Sequence, residues 1–363
     1  MDGIRDVAGG QAVDVAGALV AAERADERFH AFLDVWHEEA LARVPGAARL
    51  PLGGLPFAVK GRTGVRSPAA RRLIAAGGIP VGSTSVPGPG TPWQTWGLGA
   101  RGRTLNPWRP DRTPGGSSAG AAVAVAAGAV PLATGGDGAG SVRIPAAWCG
   151  VFGLKTTNGL LPSADRSGLA APGVLTRTAA DAETYLRAVL DGFAPAPVTL
   201  PLPAAHSTGL GYAEVEPEVA TVVRSAVDRL VAAGVVSLTG PACALLDPAP
   251  AWQAVRAGHV PRQQAEAREE NDRRLDAFFA RTPLLLTPVT PNRPHGHDGP
   301  GDTFSTSLTW GFNLSGHPAA SLFAGFTGDG CPVGLQLVAD RGTDAALLAM
   351  AAAAERVLGT VRP

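Results

Sequence analysis

The chain has 363 residues, 45% of them hydrophobic, and its 31 basic and 31 acidic residues balance to a formal net charge of zero. This length allows one large domain or two average ones with a sizeable core. The neutral charge argues against a nucleic-acid partner, and three scattered cysteines without a Cys-x-x-Cys pair argue against a zinc or disulfide framework. We find no secretion signal and no stretch typical of a membrane span, so we expect a cytoplasmic protein.

In the N-terminal half, hydrophobic periodicity and glycine–proline punctuation predict alternating helices and strands. In chain order these are two helices within 13–44, a strand at 55–59, a helix at 68–76, a strand at 79–82, a long loop at 87–116, a small-residue helix at 118–129, and strands at 132–134 and 151–154. The strand at 55–59 ends at Lys60. The loop at 87–116 is long for a compact domain, and loops of that length are often functional.

The alternation continues in the C-terminal half. Helices are predicted at 178–190, 217–233, 251–281 and 343–357, and strands at 284–286, 320–323 and 333–338. Pro261 should break or kink the third of these helices. The proline-rich segment 195–211 fits a domain linker or an internal connection, and we favour the connection. The repeated alternation of strands and helices indicates an α/β protein.

Two segments rich in glycine and serine carry the candidate chemistry. Residues 115–120 contain Ser117 and Ser118, and residues 135–143 contain Ser141. Because glycine lets backbone N–H groups approach a ligand closely, the run ending at Ser141 is suited to direct several donors at one oxyanion. A serine hydroxyl beside such donors is placed as an acyl-transfer nucleophile.

Such a nucleophile needs a base, and none of the seven histidines lies in these segments. Lys60 and Lys155 are the only lysines of this arginine-rich chain. A GC-rich genome explains most of that scarcity but not the retention of Lys60 after an apolar run. Lysine can lose its proton when it is desolvated, whereas arginine cannot. Lys60 is therefore the candidate base, with Ser117 relaying the proton from Ser141.

Each feature also has an ordinary structural explanation, as a turn, a helix N-cap or a solvated lysine. Two other motifs compete. Residues 97–102 fit GxGxxG, but the surrounding prolines leave no strand–turn–helix unit. Residues 116–120 fit GxSxG with Ser118 as nucleophile, but the three prolines before it argue against the strand that this motif requires. We treat both as false matches.

Taken together, the motifs resemble those of the amidase signature family of serine hydrolases. They lie at 54–60 (GLPFAVK), 106–108 (NPW), 113–118, 132–156, 286–288, 312–316 and 334–338. The spacing of Ser117 and Ser141 is also that of the family. The resemblance implies a single α/β domain over 1–363 with a large twisted mixed sheet surrounded by helices. The N-terminal helices (1–50) and the segment 195–282 would be peripheral elements of it.

The resemblance also implies an amide hydrolase with a Ser–cis-Ser–Lys triad and neither metal nor organic cofactor. Ser141 would be the nucleophile that forms the acyl-enzyme, Ser117 the bridging serine after a cis peptide bond, and Lys60 the base. Asp137 and Arg143 would brace the loop. The implied oxyanion hole is formed by the backbone N–H groups of Gly138, Ala139, Gly140 and Ser141. We expect a small-molecule amide substrate, no nucleic acid and no membrane, and leave a homodimer open.

The chain departs from the family pattern at several points. Gly61 stands where the family usually has Asp, Ala139 where it has Gly, and Gly136 where it has Thr or Ser. The segment 61–116 is shorter than usual, so we expect an altered or more open pocket. Two alternatives stay open. One is a biosynthetic amidase-like enzyme that passes the acyl group from Ser141 to an amine, or that forms or deprotects an amide. The other is a non-catalytic protein of the same fold, against which the intact triad argues.

Overall fold

The computed structural model describes residues 14–241 and 243–363, which form one α/β domain around an 11-stranded sheet. The helices are α1 (Val15–Phe29), α2 (His37–Ala47), α3 (Pro68–Ala75), α4 (Ala119–Ala126), α5 (Arg143–Cys149), α6 (Ala179–Val189), α7 (Pro217–Ala232), α8 (Ala249–Ala257), α9 (Arg262–Phe279), α10 (Trp310–Ser315) and α11 (Asp344–Leu358). The strands are β1 (Phe32–Val35), β2 (Pro56–Lys60), β3 (Ile79–Thr84), β4 (Leu98–Gly99), β5 (Gly102–Arg103), β6 (Leu132–Asp137), β7 (Phe152–Lys155), β8 (Ala171–Thr176), β9 (Leu202–His206), β10 (Val236–Leu238), β11 (Leu284–Pro288), β12 (Ala319–Phe326) and β13 (Pro332–Val338).

The large sheet is mixed, as the resemblance implies. Its strand order is β1-β3-β2-β6-β8-β7-β12-β13-β11-β9-β10. β2 pairs in parallel with β3 and β6, and β9 pairs in parallel with β10 and β11, while the pairs in between and the β1–β3 pair are antiparallel. The parallel β2–β6 pair brings the carboxyl ends of both strands to one edge of the sheet.

Helices cover both faces of the sheet, and β2 shows how the sequence divides the core. Phe57 and Val59 pack with residues of α3, α6, α7 and α11, whereas Ala58 packs with residues of α1, α2, α4 and α5. Successive side chains of a strand point to opposite faces, so one apolar run supplies two cores.

The small-residue helix α4 lies inside the second of these cores. All eight of its residues are buried. A Cβ on Gly120 would collide with the backbone carbonyl of Ala31 and with Ser85. The small side chains of α4 therefore allow it to pack closely against neighbouring backbone. As a result Ser118, the residue before α4, is buried.

Several strands escaped the sequence analysis. The predicted helix pair within 13–44 is interrupted by β1, an edge strand of the sheet. The segment 195–282, expected to be peripheral, supplies β9 and β10 at the opposite edge. The connection at 195–211 is internal, as favoured, but it contains a strand. The helix predicted at 251–281 is broken at Pro261 into α8 and α9, as expected from its missing N–H.

The two competing motifs lack the flanking secondary structure that they require. Residues 97–102 form the small β4–β5 hairpin rather than a strand–turn–helix unit. Residues 106–117 contain no strand before Ser118. Within 14–241 and 243–363, no helix combines the length and apolar character needed to cross a bilayer.

Candidate active site

The candidate site lies where β2 and β6 end side by side. Phe57 pairs with Leu132 and Ala58 with Ala133, so the last residue of β2, Lys60, reaches the glycine-rich end of β6. The Lys60 ammonium nitrogen Nζ donates to the Gly136 carbonyl oxygen at 3.2 Å. The parallel pairing therefore positions the predicted base beside the loop that carries Ser141.

Lys60 also contacts the predicted bridging serine. Its Nζ donates to Ser117 Oγ at 2.9 Å, across 57 residues of chain. The peptide bond between Gly116 and Ser117 is cis, which confirms that part of the resemblance. Burial lowers the pKa of Lys60 to about 8, although the nearby Asp137 carboxylate acts in the opposite direction. A neutral amine is therefore accessible at mildly alkaline pH.

Ser141 is held next to this pair through the backbone. Its carbonyl oxygen accepts a hydrogen bond from the Ser118 N–H at 3.1 Å, which ties the two serine-containing segments together. No direct hydrogen bond joins the Ser117 and Ser141 hydroxyls among the residues that the structure describes. The structure thus brings Lys60, Ser117 and Ser141 into one place and makes the first of the two predicted proton-relay contacts.

Lys155, the other lysine, is placed differently. Its Nζ is buried and donates to the carbonyl oxygens of Thr156 (3.1 Å) and His317 (2.8 Å) and to Asn158 Oδ1 (2.8 Å). Burial, aided by the charge of Arg143, lowers its pKa to about 7, but no serine hydroxyl lies among its partners. Geometry, and not a low pKa alone, therefore distinguishes Lys60 as the candidate base.

A buried ion pair supports the loop before Ser141. Asp137 and Arg143 are both fully buried, and the guanidinium donates to both carboxylate oxygens at 2.8 and 3.0 Å. The Asp137 carboxylate also accepts from the backbone N–H groups of Gly140 (2.7 Å), Val142 (3.2 Å) and Arg143 (3.3 Å). Arg143 and Lys155 hold the pKa of Asp137 well below its usual range against the cost of burial. These contacts fix the loop conformation, as the bracing prediction requires.

The expectation for Gly140 needs correction. Its N–H was predicted to point into an oxyanion hole, but it donates to Asp137 Oδ1 instead. Its φ of +113°, together with the Thr309 side chain with which a Cβ here would collide, explains why glycine occupies this position. The N–H groups of Gly138, Ala139 and Ser141 have no acceptor among the described residues, so three of the four predicted donors remain available.

Four buried or half-buried side chains contact this loop or its ion pair, and none of them is among the predicted catalytic, oxyanion-hole or bracing residues. Asn313 Nδ2 donates to the Asp137 carbonyl oxygen (2.6 Å), and Thr309 Oγ1 donates to that of Ala139 (2.6 Å). Gln336 Oε1 accepts from Arg143 (2.7 Å), and Trp252 Nε1 donates to the Gly138 carbonyl oxygen (2.8 Å). The signal for the two amides was that Asn313 and Gln336 stand in the motifs at 312–316 and 334–338.

The ion pair leads to a stability prediction. Replacing Asp137 with Asn should lower the free energy of unfolding by about 3–5 kcal/mol, because Arg143 would keep a buried charge without its counter-ion. Urea denaturation followed by circular dichroism measures this change. As the control, Asp111→Asn removes a carboxylate paired with Arg109 at the surface and should leave the denaturation midpoint close to that of the wild type. Equal midpoints for the wild type and Asp137→Asn would contradict the prediction.

Comparisons with known proteins identify the family of the chain. A family model described as Amidase matches residues 15–244 and 245–348. AmiA2 of Mycobacterium tuberculosis, provisionally named an amidase, is 34% identical over 435 residues, covering 95% of this chain and 89% of that protein. An acylamidase of Rhodococcus erythropolis is 31% identical, covering 85% of this chain and 82% of its own. The structure of 6-aminohexanoate cyclic dimer hydrolase complexed with substrate has a TM-score of 0.77 at 24% identity, covering 96% and 94%; this likeness concerns the fold alone.

These matches define an enzyme class, the hydrolases that act on carbon–nitrogen bonds. The chain belongs to the amidase family, also called the amidase signature family. The resemblance drawn from the sequence motifs is confirmed, as is the α/β fold that it implied.

Proposed function

We propose that this amidase hydrolyses a carboxylic amide through an acyl-enzyme on Ser141, with Lys60 as the base and Ser117 as the proton relay. The observation that carries the proposal is the 2.9 Å contact between Lys60 Nζ and Ser117 Oγ, made by an amine whose pKa is lowered to about 8. A lysine that bonds a hydroxyl and loses its proton at mildly alkaline pH is suited to general base catalysis.

In the acylation step, neutral Lys60 takes the proton of Ser117, which takes that of Ser141. The Ser141 oxygen bonds to the amide carbonyl carbon, and the carbonyl oxygen becomes an oxyanion. The N–H groups of Gly138, Ala139 and Ser141 are the candidates to stabilise this oxyanion, each being free of other acceptors in the described chain. When the carbon–nitrogen bond breaks, the Lys60 ammonium returns its proton through Ser117 to the leaving amine.

Deacylation uses the same groups in the same order. Water loses a proton to the relay and attacks the ester carbonyl of acyl-Ser141. The second oxyanion collapses, the ester bond breaks, and Ser141 recovers its proton from Lys60 through Ser117. The products are a carboxylic acid and an amine, and Lys60 ends neutral as it began. The hydroxyls of Ser117 and Ser141 must come within hydrogen-bond distance during each transfer.

The lowered pKa of Lys60 predicts the pH dependence. Since the neutral amine is the active form, kcat/KM should rise with pH through about 8 and level off above it. At pH 7 about one-tenth of the enzyme would hold neutral Lys60. Initial rates between pH 6 and 9.5 measure the profile, with thermal melts at each pH to show that the fold persists. A profile that is flat or falling through pH 8 would contradict a neutral-amine base.

Two experiments test the proposed function. A fluorophosphonate probe should label wild-type protein, and peptide mass spectrometry should locate the phosphonyl group on Ser141; absence of labelling would favour the non-catalytic alternative. Product analysis with an acyl p-nitroanilide in the presence of added amines then separates hydrolysis from acyl transfer. Carboxylic acid as the main product supports the proposal, and an N-acylated added amine as the main product would replace it with acyl transfer.

A further inference from the structure

The peptide groups of the loop 138–141 follow a common pattern. Where an N–H has no acceptor in the described chain, the carbonyl of the same peptide group is anchored. The carbonyl of Asp137 accepts from Asn313, that of Gly138 from Trp252, and that of Gly140 from the Ile144 N–H at 2.8 Å. These three peptide groups carry the N–H groups of Gly138, Ala139 and Ser141.

The remaining peptide group is saturated at both ends. Its carbonyl, that of Ala139, accepts from Thr309 Oγ1, and its N–H, that of Gly140, donates to Asp137. This peptide group therefore serves the loop itself. The others have one end tied to the protein and the other end available to a ligand.

The group that joins Gly138 to Ala139 depends on a single side chain. Trp252 Nε1 donates to the Gly138 carbonyl oxygen at 2.8 Å, across 114 residues of chain. In a planar trans peptide the carbonyl and the N–H point in opposite directions, so an anchor on one fixes the direction of the other. Removing the indole N–H would leave this peptide free to rotate about its flanking bonds.

We propose that Trp252 is a positioning residue for amide hydrolysis, whose indole N–H holds the Gly138 carbonyl so that the Ala139 N–H faces the oxyanion. This inference rests on the proposed function, because it assigns that N–H to the oxyanion formed on the carbonyl that Ser141 attacks. Trp252 does not itself touch the reacting atoms; it acts through the peptide that it orients.

The position of the indole is set by its surroundings. Trp252 lies on α8, next to Ala251, which is buried against Leu169 and Leu314. Its ring packs near that of Trp310, the first residue of α10, and the two ring centroids are 6.0 Å apart. A half-buried ring packed in this way holds its N–H in one direction, and a preorganised donor is what oxyanion stabilisation requires.

The variant Trp252→Phe tests the inference by removing the N–H and keeping an apolar ring. We expect kcat for the acyl p-nitroanilide that the wild type cleaves fastest to fall about 10- to 100-fold, since losing an oxyanion donor outright costs about 10²–10³-fold. KM should change less than about threefold, because the interaction is made in the transition state. The second-order rate of fluorophosphonate labelling at Ser141 should fall with kcat, as the phosphonyl oxygen uses the same donors.

Trp108→Phe is the matched control. The Trp108 indole is also half-buried and its N–H also donates to a backbone carbonyl, that of Cys149 at 2.9 Å, but this carbonyl lies at the end of α5 farther from the loop. The variant should leave kcat and the labelling rate within about twofold of the wild type, since the hydrogen bond that it removes orients no oxyanion donor. A loss of rate common to both variants would show a general effect of replacing tryptophan and would overturn the assignment to the Trp252 indole N–H.

A second variant keeps the test decisive if Trp252→Phe is destabilised. β-(3-Benzothienyl)alanine, introduced at position 252 through an amber codon, places sulfur where the indole has its N–H and preserves the shape of the ring. It should reproduce the loss in kcat and in labelling with an unchanged melting temperature. Wild-type rates with this residue would overturn the inference alone, whereas failure of wild-type protein to label at Ser141 would overturn the proposed function and this inference with it.

Discussion

The variant Lys60→Arg should lose nearly all amide turnover, with kcat reduced by about 10²–10⁴-fold, the range by which a positioned general base accelerates a reaction. Arginine retains the positive charge and could still donate to Ser117 Oγ. It stays protonated, however, so it cannot accept the proton that Ser141 must release. The experiment therefore separates a proton-accepting role of Lys60 from a purely electrostatic or structural one.

Two further variants serve as comparisons for Lys60→Arg, one expected to be inactive and one expected to be active. Lys60→Met, which has similar length but neither charge nor basicity, should be as inactive as Lys60→Arg. Arg62→Lys changes an exposed residue two positions away and should keep wild-type kcat. Steady-state kinetics at pH 9 gives the comparison, because there most of the wild-type enzyme holds neutral Lys60, whose pKa is about 8. Lys60→Arg with more than about a tenth of the wild-type kcat would rule out the neutral-amine base.

The strand β1 illustrates why part of the fold was hidden in the sequence. Phe29, Phe32 and Trp36 recur at helical spacing, and this pattern predicted the second of the two helices within 13–44. The structure ends α1 at His30, which has a left-handed φ of 56°, and the Asp26 side chain accepts from the Phe32 N–H at 2.8 Å. A side chain that accepts a hydrogen bond from a backbone N–H just after a helix competes with continued helical hydrogen bonding. The spacing of apolar residues gives no sign of such a side-chain contact.

The strand β9, near the opposite edge of the sheet, was missed by the sequence analysis for another reason. β9 is a five-residue strand within a proline-rich segment, and two of its residues are Ala204 and Ala205. Small residues and flanking prolines give little strand signal. The strand forms because it pairs in parallel with β10 and β11, which come later in the chain. Such tertiary pairing lies outside what a local pattern can predict.

At the site, the local motifs were sufficient to bring out Lys60, Ser117 and Ser141, because each lies in a glycine-rich segment or at a strand end. The use of the individual N–H groups was not predictable in this way. Four adjacent donors were expected, yet the Gly140 N–H is taken by the Asp137 carboxylate. The anchor on Gly138 comes from a tryptophan far along the chain. Both depend on three-dimensional contacts that no motif encodes.

The nucleophile assignment yields the second large effect. Ser141→Ala should lower kcat by on the order of 10⁴–10⁶-fold and abolish fluorophosphonate labelling, because no oxygen remains to form the acyl-enzyme. The fold should persist, since the loop is held by Asp137 and Arg143 and not by the Ser141 hydroxyl. A melting temperature close to that of the wild type would show that the loss is chemical.

Ser118→Ala is the matched control, and it decides between the two serines that the motifs offered. The Ser118 Oγ is buried without a partner in the described chain, so its removal breaks no hydrogen bond and relieves an unsatisfied polar group. This variant should retain kcat within a few-fold and should label at Ser141 as the wild type does. Loss of labelling in Ser118→Ala together with its retention in Ser141→Ala would transfer the nucleophile to the GxSxG serine. That outcome would require an acyl-enzyme at a hydroxyl that is fully buried directly before α4.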